Sequence, residues 1–112
     1  MPANPSRLNA LQLKTLAVLQ ALARERAFAH PPDADGTVLI HTLPLAHGDH
    51  FHIGRAVVRA RDATGLANRN VMNALVRKGL LLGGPAGMPI LTGAGLAYET
   101  GVAGSILHGA EH

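Results

Sequence analysis

The chain has 112 residues, of which 47% are hydrophobic, 15% are charged and 3% are aromatic. This length suits one small domain, and the apolar fraction is sufficient for a packed core and argues against a disordered chain. The absence of cysteine excludes disulfide bonds and cysteine-based zinc sites. With no tryptophan and a single tyrosine, stacking of single-stranded nucleic acid on aromatic side chains is disfavoured.

The formal net charge of +3 is distributed unevenly along the chain. Residues 53–79 carry six basic side chains against one acidic side chain, whereas the remainder carries four basic and six acidic side chains. Such a concentration of positive charge favours a polyanionic partner for the middle of the chain. A basic surface that is merely solvated is the alternative, and composition does not distinguish the two.

Two segments bear on export and on membranes. The N-terminal sequence MPANPSRLNALQLK has no basic region followed by an apolar run, so we expect no secretory signal. Residues 79–98 carry no charge, but two prolines and six glycines interrupt them, which favours a turn-rich hairpin over a membrane-spanning helix. We therefore expect a cytoplasmic protein with no membrane partner.

The first predicted element is a helix over residues 8–28, because apolar side chains recur there on one face at helical spacing. The segment HPPDADG, residues 30–36, is dense in helix breakers and ends this helix. The candidates for the cap at its start are Asn4, Ser6 and Asn9.

An insert over residues 30–52 follows this helix and is rich in histidine. Within it, the β-branched and apolar residues 37–43 predict a strand, and residues 44–50 predict a turn or loop. Residues 51–53 are compatible either with extended backbone or with the start of the next helix.

A second helix is predicted over residues 53–63, which show an apolar stripe at helical spacing. Residues 64–67, TGLA, form a tight connection in which Gly65 can adopt a positive φ. A third helix is predicted over residues 68–78, because Asn68 can cap its start and a glycine follows its end. The second and third helices then form a pair joined by the TGLA turn.

The C-terminal part of the chain predicts a hairpin and a last helix. Residues 80–82 and 90–92 are the strands of the hairpin, and GGPAGMP is its tip. Thr92 can cap a helix over residues 93–107, which contains internal glycines and needs a partner surface to be stable.

The third helix has two chemically distinct faces. On a helical wheel its apolar arc consists of Val71, Met72, Leu75 and Val76. Its polar arc consists of Arg69, Asn70, Asn73 and Arg77. Arginine can donate two hydrogen bonds to guanine, and asparagine can pair with adenine in the same bidentate way. From this helix alone, recognition of DNA bases and a basic face that only contacts solvent are equally good interpretations.

The order of helix, tight turn, helix, hairpin and closing helix is that of a winged helix-turn-helix. The segments ATGLANRNVMNALVRKGLL and ILTGAGLAYE resemble the winged-helix transcription regulators, including MarR-like ones. RKGLL matches their step into the wing, LTGAG matches the start of their following helix, and the resemblance covers most of residues 53–99. It implies an α+β, mostly helical fold in one domain over residues 1–112, with a three-helix core, a wing hairpin and a C-terminal helix.

The resemblance also implies a DNA-binding role. Within a helix-turn-helix at residues 53–78, the helix at residues 68–78 would enter the major groove of double-stranded DNA, and residues 80–92 would supply the wing. The residues that map onto groove-facing positions are Arg69, Asn70, Asn73 and Arg77. The residues expected to meet phosphates are Arg55, Arg59 and Lys78. We expect a sequence-specific transcriptional regulator without catalytic activity, acting as a homodimer through its first and last helices.

A histidine cluster in the insert raises an alternative function. The segment HTLPLAHGDHFH contains Asp49 and four histidines, which are His41, His47, His50 and His52. Imidazole nitrogens ligate divalent transition metals, so a metal-sensing domain is an alternative, and proton sensing is another. Of these alternatives we favour a polar loop whose histidines form separate hydrogen bonds. A divalent transition metal bound by the four histidines is the one candidate cofactor.

Two other functional classes bear on the same elements. A winged-helix module that binds protein instead of DNA would show a weak salt dependence and no outward-facing basic row. Catalysis is not predicted, because GAGLAYETG lacks the GK[ST] ending of a phosphate-binding loop and both serines lie near the chain ends.

Overall fold

A buried helix forms the centre of the computed structural model, which describes residues 4–109 of the chain. This helix is α1 (Ala10–Ala23), and Asn9 caps it. The Asn9 side chain accepts a hydrogen bond from the backbone N–H of Gln12, and the Gln12 side chain accepts one from the backbone N–H of Asn9. Residues 15–22 are all buried, so this part of α1 is enclosed on every side and offers no surface for the dimer contact predicted for the first helix.

The first helix ends at Ala23, five residues before the predicted end at residue 28. Beyond it the chain turns, and Ala29 pairs with Ile40 in an isolated antiparallel bridge. Both of these side chains are buried in the core. Because the bridge requires an extended backbone at Ala29, it limits how far the helix can continue.

Three short strands form the first sheet, which is antiparallel. β1 (Val38–Leu39) pairs with β5 (Pro89–Leu91), and β5 pairs with β4 (Leu81–Gly83), so the strand order is β1-β5-β4. The hairpin predicted over residues 80–92 is confirmed. The strand predicted over residues 37–43 is shortened to two residues, because from His41 onward the backbone N–H groups bond to Phe28 in the loop after α1 instead of to a strand.

The helix predicted over residues 53–63 is wrong. Its first part belongs to a second antiparallel sheet, in which β2 (His50–Ile53) pairs with β3 (Ala56–Arg59) and β3 pairs with β6 (His108–Gly109). The extended alternative for residues 51–53 is therefore the one that the chain adopts.

Local chemistry and burial together explain this hairpin. Gly54 has a φ of +59°, as a two-residue hairpin turn requires of its first central residue. Val57 and Val58 are β-branched, which favours extended backbone. Ile53 and Val58 are buried, whereas Val57, which a helical stripe would bury, is half-exposed. In this segment the two-residue alternation of buried side chains that is typical of a strand therefore prevails over the 3.6-residue spacing that is typical of a helix.

Two 3-10 turns, Ala60–Asp62 and Thr64–Ala67, connect the hairpin to the next helix and replace the first helix of the predicted helix-turn-helix. Both turns pack against α1. The carboxylate of Asp62 is nearly buried and forms an ion pair with Lys14 of α1 at 3.0 Å. This pair ties the connection to the central helix.

Gly65 permits the close approach of the second turn to α1. A Cβ atom at this position would collide with the side chain of Thr15, which is completely buried. The hydroxyl of Thr15 donates a hydrogen bond to the carbonyl of Leu11 at 2.7 Å, so it is held in place. The positive φ predicted as a use for Gly65 is not observed, and the residue is needed for its small size.

The last predicted helix, residues 93–107, is divided into α3 (Gly93–Ala97) and α4 (Ala103–Ile106). Thr92 caps α3 as predicted, because its hydroxyl accepts a hydrogen bond from a backbone N–H of the first turn. Gly101 has a φ of +73°, which interrupts the helix between the two pieces. Within the described part of the chain, no helix is long and apolar enough to cross a membrane.

Buried polar contacts hold these C-terminal pieces against α1. The side-chain amide of Gln20, which is buried, donates hydrogen bonds to the carbonyls of Gly95 at 2.8 Å and of Tyr98 at 2.7 Å. The Tyr98 hydroxyl accepts a hydrogen bond from the backbone N–H of Ser6 at 3.1 Å. Residues 4–109 therefore form an α+β fold with four helices and two antiparallel sheets.

Candidate nucleic-acid interface

The helix predicted over residues 68–78 is confirmed as α2 (Arg69–Arg77). The side chain of Asn68 accepts hydrogen bonds from the backbone N–H groups of Asn70 at 3.0 Å and Val71 at 3.2 Å. These bonds satisfy two donors that a helix start leaves free. Gly79 follows the helix with a φ of +77°, which is the left-handed conformation that ends helices.

The buried face of α2 consists of Val71, Ala74 and Leu75, at spacing i, i+3 and i+4. This face packs against α1. The opposite face is exposed to solvent and carries Arg69, Asn70, Asn73 and Arg77. All four residues that were predicted to face the groove therefore point into solvent, where a partner can reach them.

The apolar arc predicted for α2 is partly wrong. Met72 is only half-buried, and Val76 is 41% exposed. Ala74 is buried instead, so the buried arc of the helix consists of Val71, Ala74 and Leu75 and leaves Val76 outside it. Val76 consequently lies on the outer surface and lines the same groove as Arg69.

The charges of the α2 row are unopposed. Within residues 4–109, no carboxylate forms an ion pair with Arg69 or Arg77. Lys78, the residue after the helix, differs from them because its Nζ donates a hydrogen bond to the carbonyl of Ser6 at 2.8 Å. Lys78 therefore helps to hold the N-terminal segment against the end of α2.

Arg55 and Arg59 are exposed, but a hairpin carries them instead of the predicted helix. Arg55 lies in the turn between β2 and β3, and Arg59 is the last residue of β3. Arg59 lines a cleft of about 270 Å³ together with His50 and His108. The two arginines therefore belong to a different element from the α2 row.

A groove of about 450 Å³ runs between α2 and the β4–β5 hairpin. Arg69 and Asn73 line it from the helix, and Leu82 lines it from the hairpin. Leu82 is 46% exposed, because neighbouring residues of a strand point to opposite faces and Leu81 occupies the core. The exposed pair Val76 and Leu82 was not predicted, although the strand alternation within Leu80–Leu82 contains the signal for Leu82.

The tip of this hairpin offers no charge. Residues 84–88 are glycine, proline, alanine and methionine, closed by a hydrogen bond from the N–H of Gly84 to the carbonyl of Met88 at 2.8 Å. Positive φ values at Ala86 and Gly87 complete the turn. The tip is therefore suited to close van der Waals approach and not to an ionic contact with phosphate.

The four predicted histidine ligands are divided into two groups. His41 lies beside His30, with ring centroids 4.7 Å apart, and its Nδ1 is 2.7 Å from the hydroxyl of Thr42. The second group consists of His47, His50 and His52. As placed, no three histidine or carboxylate side chains of residues 4–109 are arranged to hold one metal ion.

Seven residues were predicted to contact DNA, and the structure distributes them over three places. Arg69, Asn70, Asn73 and Arg77 lie together on α2. Arg55 and Arg59 lie on the hairpin, and Lys78 contacts the N-terminal segment.

No protein-family model matches the chain, and comparisons with curated proteins and with solved structures give no match.

Proposed function

We propose that the protein is a winged-helix regulator that binds double-stranded DNA with α2 in the major groove. The observation that carries the proposal is the row of Arg69, Asn73 and Arg77, which is exposed along a helix whose opposite face is buried. The i, i+4, i+8 spacing aligns the three side chains. Their chemistry suits guanine and adenine edges, and no carboxylate of the described residues pairs with the two arginines.

The order of elements supports this proposal. α1, β1, the two 3-10 turns, α2 and the β4–β5 hairpin follow one another as helix, strand, helix-turn-helix and wing do in winged-helix domains. The sheet order β1-β5-β4, in which the early strand pairs with the second wing strand, fits the same arrangement. In this interpretation the 3-10 turns replace one helix, and the β2–β3 hairpin is an insertion.

The dimensions of α2 suggest two copies on one DNA site. Nine residues give a helix about 13 Å long, which fits a major groove about 12 Å wide but covers only about four base pairs. A homodimer that reads two half-sites would supply the remaining specificity. Since residues 15–22 of α1 are buried, the exposed surfaces of α3 and α4 are the larger candidates for the predicted dimer contact.

Selection from a random duplex library with the purified chain tests the proposal directly. We expect enrichment of a short palindromic sequence, because a symmetric dimer reads a symmetric site. Binding of the enriched duplex is then measured by fluorescence anisotropy for Asn73→Ala, which should weaken it by about 1–3 kcal/mol, and for Arg26→Ala as a control. Arg26 is an exposed arginine beyond the end of α1, so it should have little effect.

Two results would contradict the proposal. One is a selection that enriches no sequence. The other is an enriched duplex that Asn73→Ala and the Arg26→Ala control bind equally well, because base recognition by α2 would then play no part.

A protein-binding module is a second candidate, and the groove favours it. Val76 and Leu82 expose apolar surface in that groove, and the hairpin tip carries no charge. Apolar side chains exposed in one groove are a feature of sites that bind a protein or another ligand. This function predicts no enriched duplex and a partner whose binding depends little on salt, whereas DNA binding weakens steeply as salt is added.

A further inference from the structure

Backbone pairing places three histidines on one face of the insert. His47 and His50 flank a two-residue turn, and the N–H of His47 donates to the carbonyl of His50 at 2.7 Å. Gly48 supplies the positive φ, +67°, that such a turn needs at its first central position. Side chains of a cross-strand pair share a face, and His52 joins that face because it lies two residues after His50 along β2.

Two of the three imidazole rings, those of His50 and His52, already lie at a distance suited to shared coordination, whereas that of His47 is farther from His50. The Nε2 atoms of His50 and His52 are 3.1 Å apart, and two nitrogens at tetrahedral positions around one zinc ion are about 3.3 Å apart. The ring centroids are 4.9 Å apart for His50 and His52, 5.6 Å for His47 and His52, and 6.4 Å for His47 and His50. Three rings bound through Nε2 to one ion have centroids roughly 5 Å apart.

We propose that His47, His50 and His52 form a chelating site for one divalent transition metal ion, such as Zn²⁺ or Ni²⁺. The Nε2 atoms of His50 and His52 are the first two ligands. His47 becomes the third when its side chain rotates so that its ring turns towards the other two. His47 is exposed, so this rotation does not require the core to repack.

A carboxylate supports the orientation of one ligand. The Oδ1 atom of Asp49 is 3.4 Å from Nδ1 of His50. A proton held on Nδ1 by this carboxylate leaves the lone pair of Nε2 free to bind a metal, as in many carboxylate–histidine–metal arrangements. Arg59 is the cross-strand neighbour of His50, so its positive charge opposes a cation while the charge of Asp49 favours one.

Isothermal titration of the full chain, free of any affinity tag, with NiCl₂ and separately with ZnCl₂ tests the site. We expect one ion per chain for the natural sequence. His50→Ala and His52→Ala should each weaken binding at least about tenfold, because each removes a ligand. His30→Ala and His41→Ala are matched controls, since these histidines belong to the other group, and they should leave the affinity unchanged.

Circular dichroism and thermal melting of each variant would establish that the fold is retained before affinities are compared. A Co²⁺ complex would add a second measurement, because its visible absorption differs between tetrahedral and octahedral coordination. No heat of binding for the natural sequence would overturn the proposal. Equal losses for His41→Ala and His52→Ala would also overturn it, because they would implicate a different set of ligands.

Discussion

Two neighbouring segments, residues 53–63 and 68–78, contain similar residues and fold differently. Each carries three basic side chains and an apolar stripe that fits helical spacing. The first becomes strand β3 and a 3-10 turn, whereas the second becomes α2. The second segment starts with Asn68, which caps two backbone N–H groups, and the first contains Gly54 in a left-handed conformation. Residues at the ends of a segment therefore decide its structure where the apolar period fits both a helix and a strand.

The two segments also present their charges differently. The exposed row of α2 has no carboxylate partner among the described residues. Arg59 of β3 lines a cleft together with Asp49 and two histidines. The proposed base recognition therefore belongs to α2, while the proposed phosphate contacts of Arg55 and Arg59 and two of the proposed metal ligands, His50 and His52, belong to the β2–β3 hairpin.

The largest expected effect concerns the contact that positions α2. Gly65→Ala would place a methyl group against the buried side chain of Thr15, and we expect the free energy of unfolding to fall by about 3 kcal/mol. Urea unfolding followed by circular dichroism measures this loss. Gly83→Ala is the control, because a Cβ atom there meets nothing within 4 Å.

The double variant Gly65→Ala, Thr15→Ala sharpens this prediction. Removing the Thr15 hydroxyl and methyl group should recover part of the stability lost in Gly65→Ala, giving a non-additive pair. Fully additive effects would show that the approach of the 3-10 turn to α1 is not what requires glycine.

Two arginine variants test whether α2 recognises bases while the β2–β3 hairpin contacts phosphates. Arg69→Ala should weaken the enriched duplex by about 2 kcal/mol and relax the preference at one base pair. Arg59→Ala should weaken all duplexes alike and reduce the slope of log affinity against log salt by about one. Fluorescence anisotropy at several salt concentrations measures both. If the two variants behaved alike, the assignment of distinct roles would fail.

The hairpin turn itself is tested by Gly54→Ala. Alanine in the left-handed conformation costs about 1–2 kcal/mol, and the added Cβ would lie 2.5 Å from the carboxyl group of Glu25. Thermal unfolding measures the loss. Gly36→Ala also places alanine at a positive φ, +81°, but in open space, so it separates backbone strain from crowding. A loss for Gly54→Ala no larger than that for Gly36→Ala would show that Glu25 moves aside freely.

The smallest expected effect concerns the cap of α2. Asn68→Ala removes the acceptor for two backbone N–H groups and should lower the free energy of unfolding by about 1 kcal/mol. Asn68→Asp, which retains an acceptor, should restore most of this loss. Stability equal to that of the natural sequence in Asn68→Ala would mean that water replaces the cap without cost.

Sequence reasoning predicted the elements whose determinants lie within a few residues of one another. The helix α2, its cap and its stop, and the β4–β5 hairpin were correct because caps and turns act locally. The exposure of Arg69, Asn73 and Arg77 was also correct, since it follows from helical spacing once the helix exists. The DNA and metal sites remain predictions built on these elements.

Contacts between distant parts of the chain, together with the local turns at Gly54 and Gly101, account for the errors. β3 is a strand partly because it lies between β2 and β6, and β6 is more than 45 residues away in sequence. Pairing of this kind cannot be inferred from an apolar stripe that suits two periods. The last helix is divided in the same way, because Tyr98 is held by the N-terminal segment and by Gln20.

The amino-acid sequence by itself determined an α+β chain with a capped basic helix and an uncharged hairpin beside it. Only the tertiary structure decided that Val76 and Leu82 are exposed, that residues 15–22 of α1 are enclosed, and that His41 lies apart from His47, His50 and His52. The physical reason is that burial and side-chain proximity depend on which surfaces meet, and those surfaces come from residues far apart along the chain.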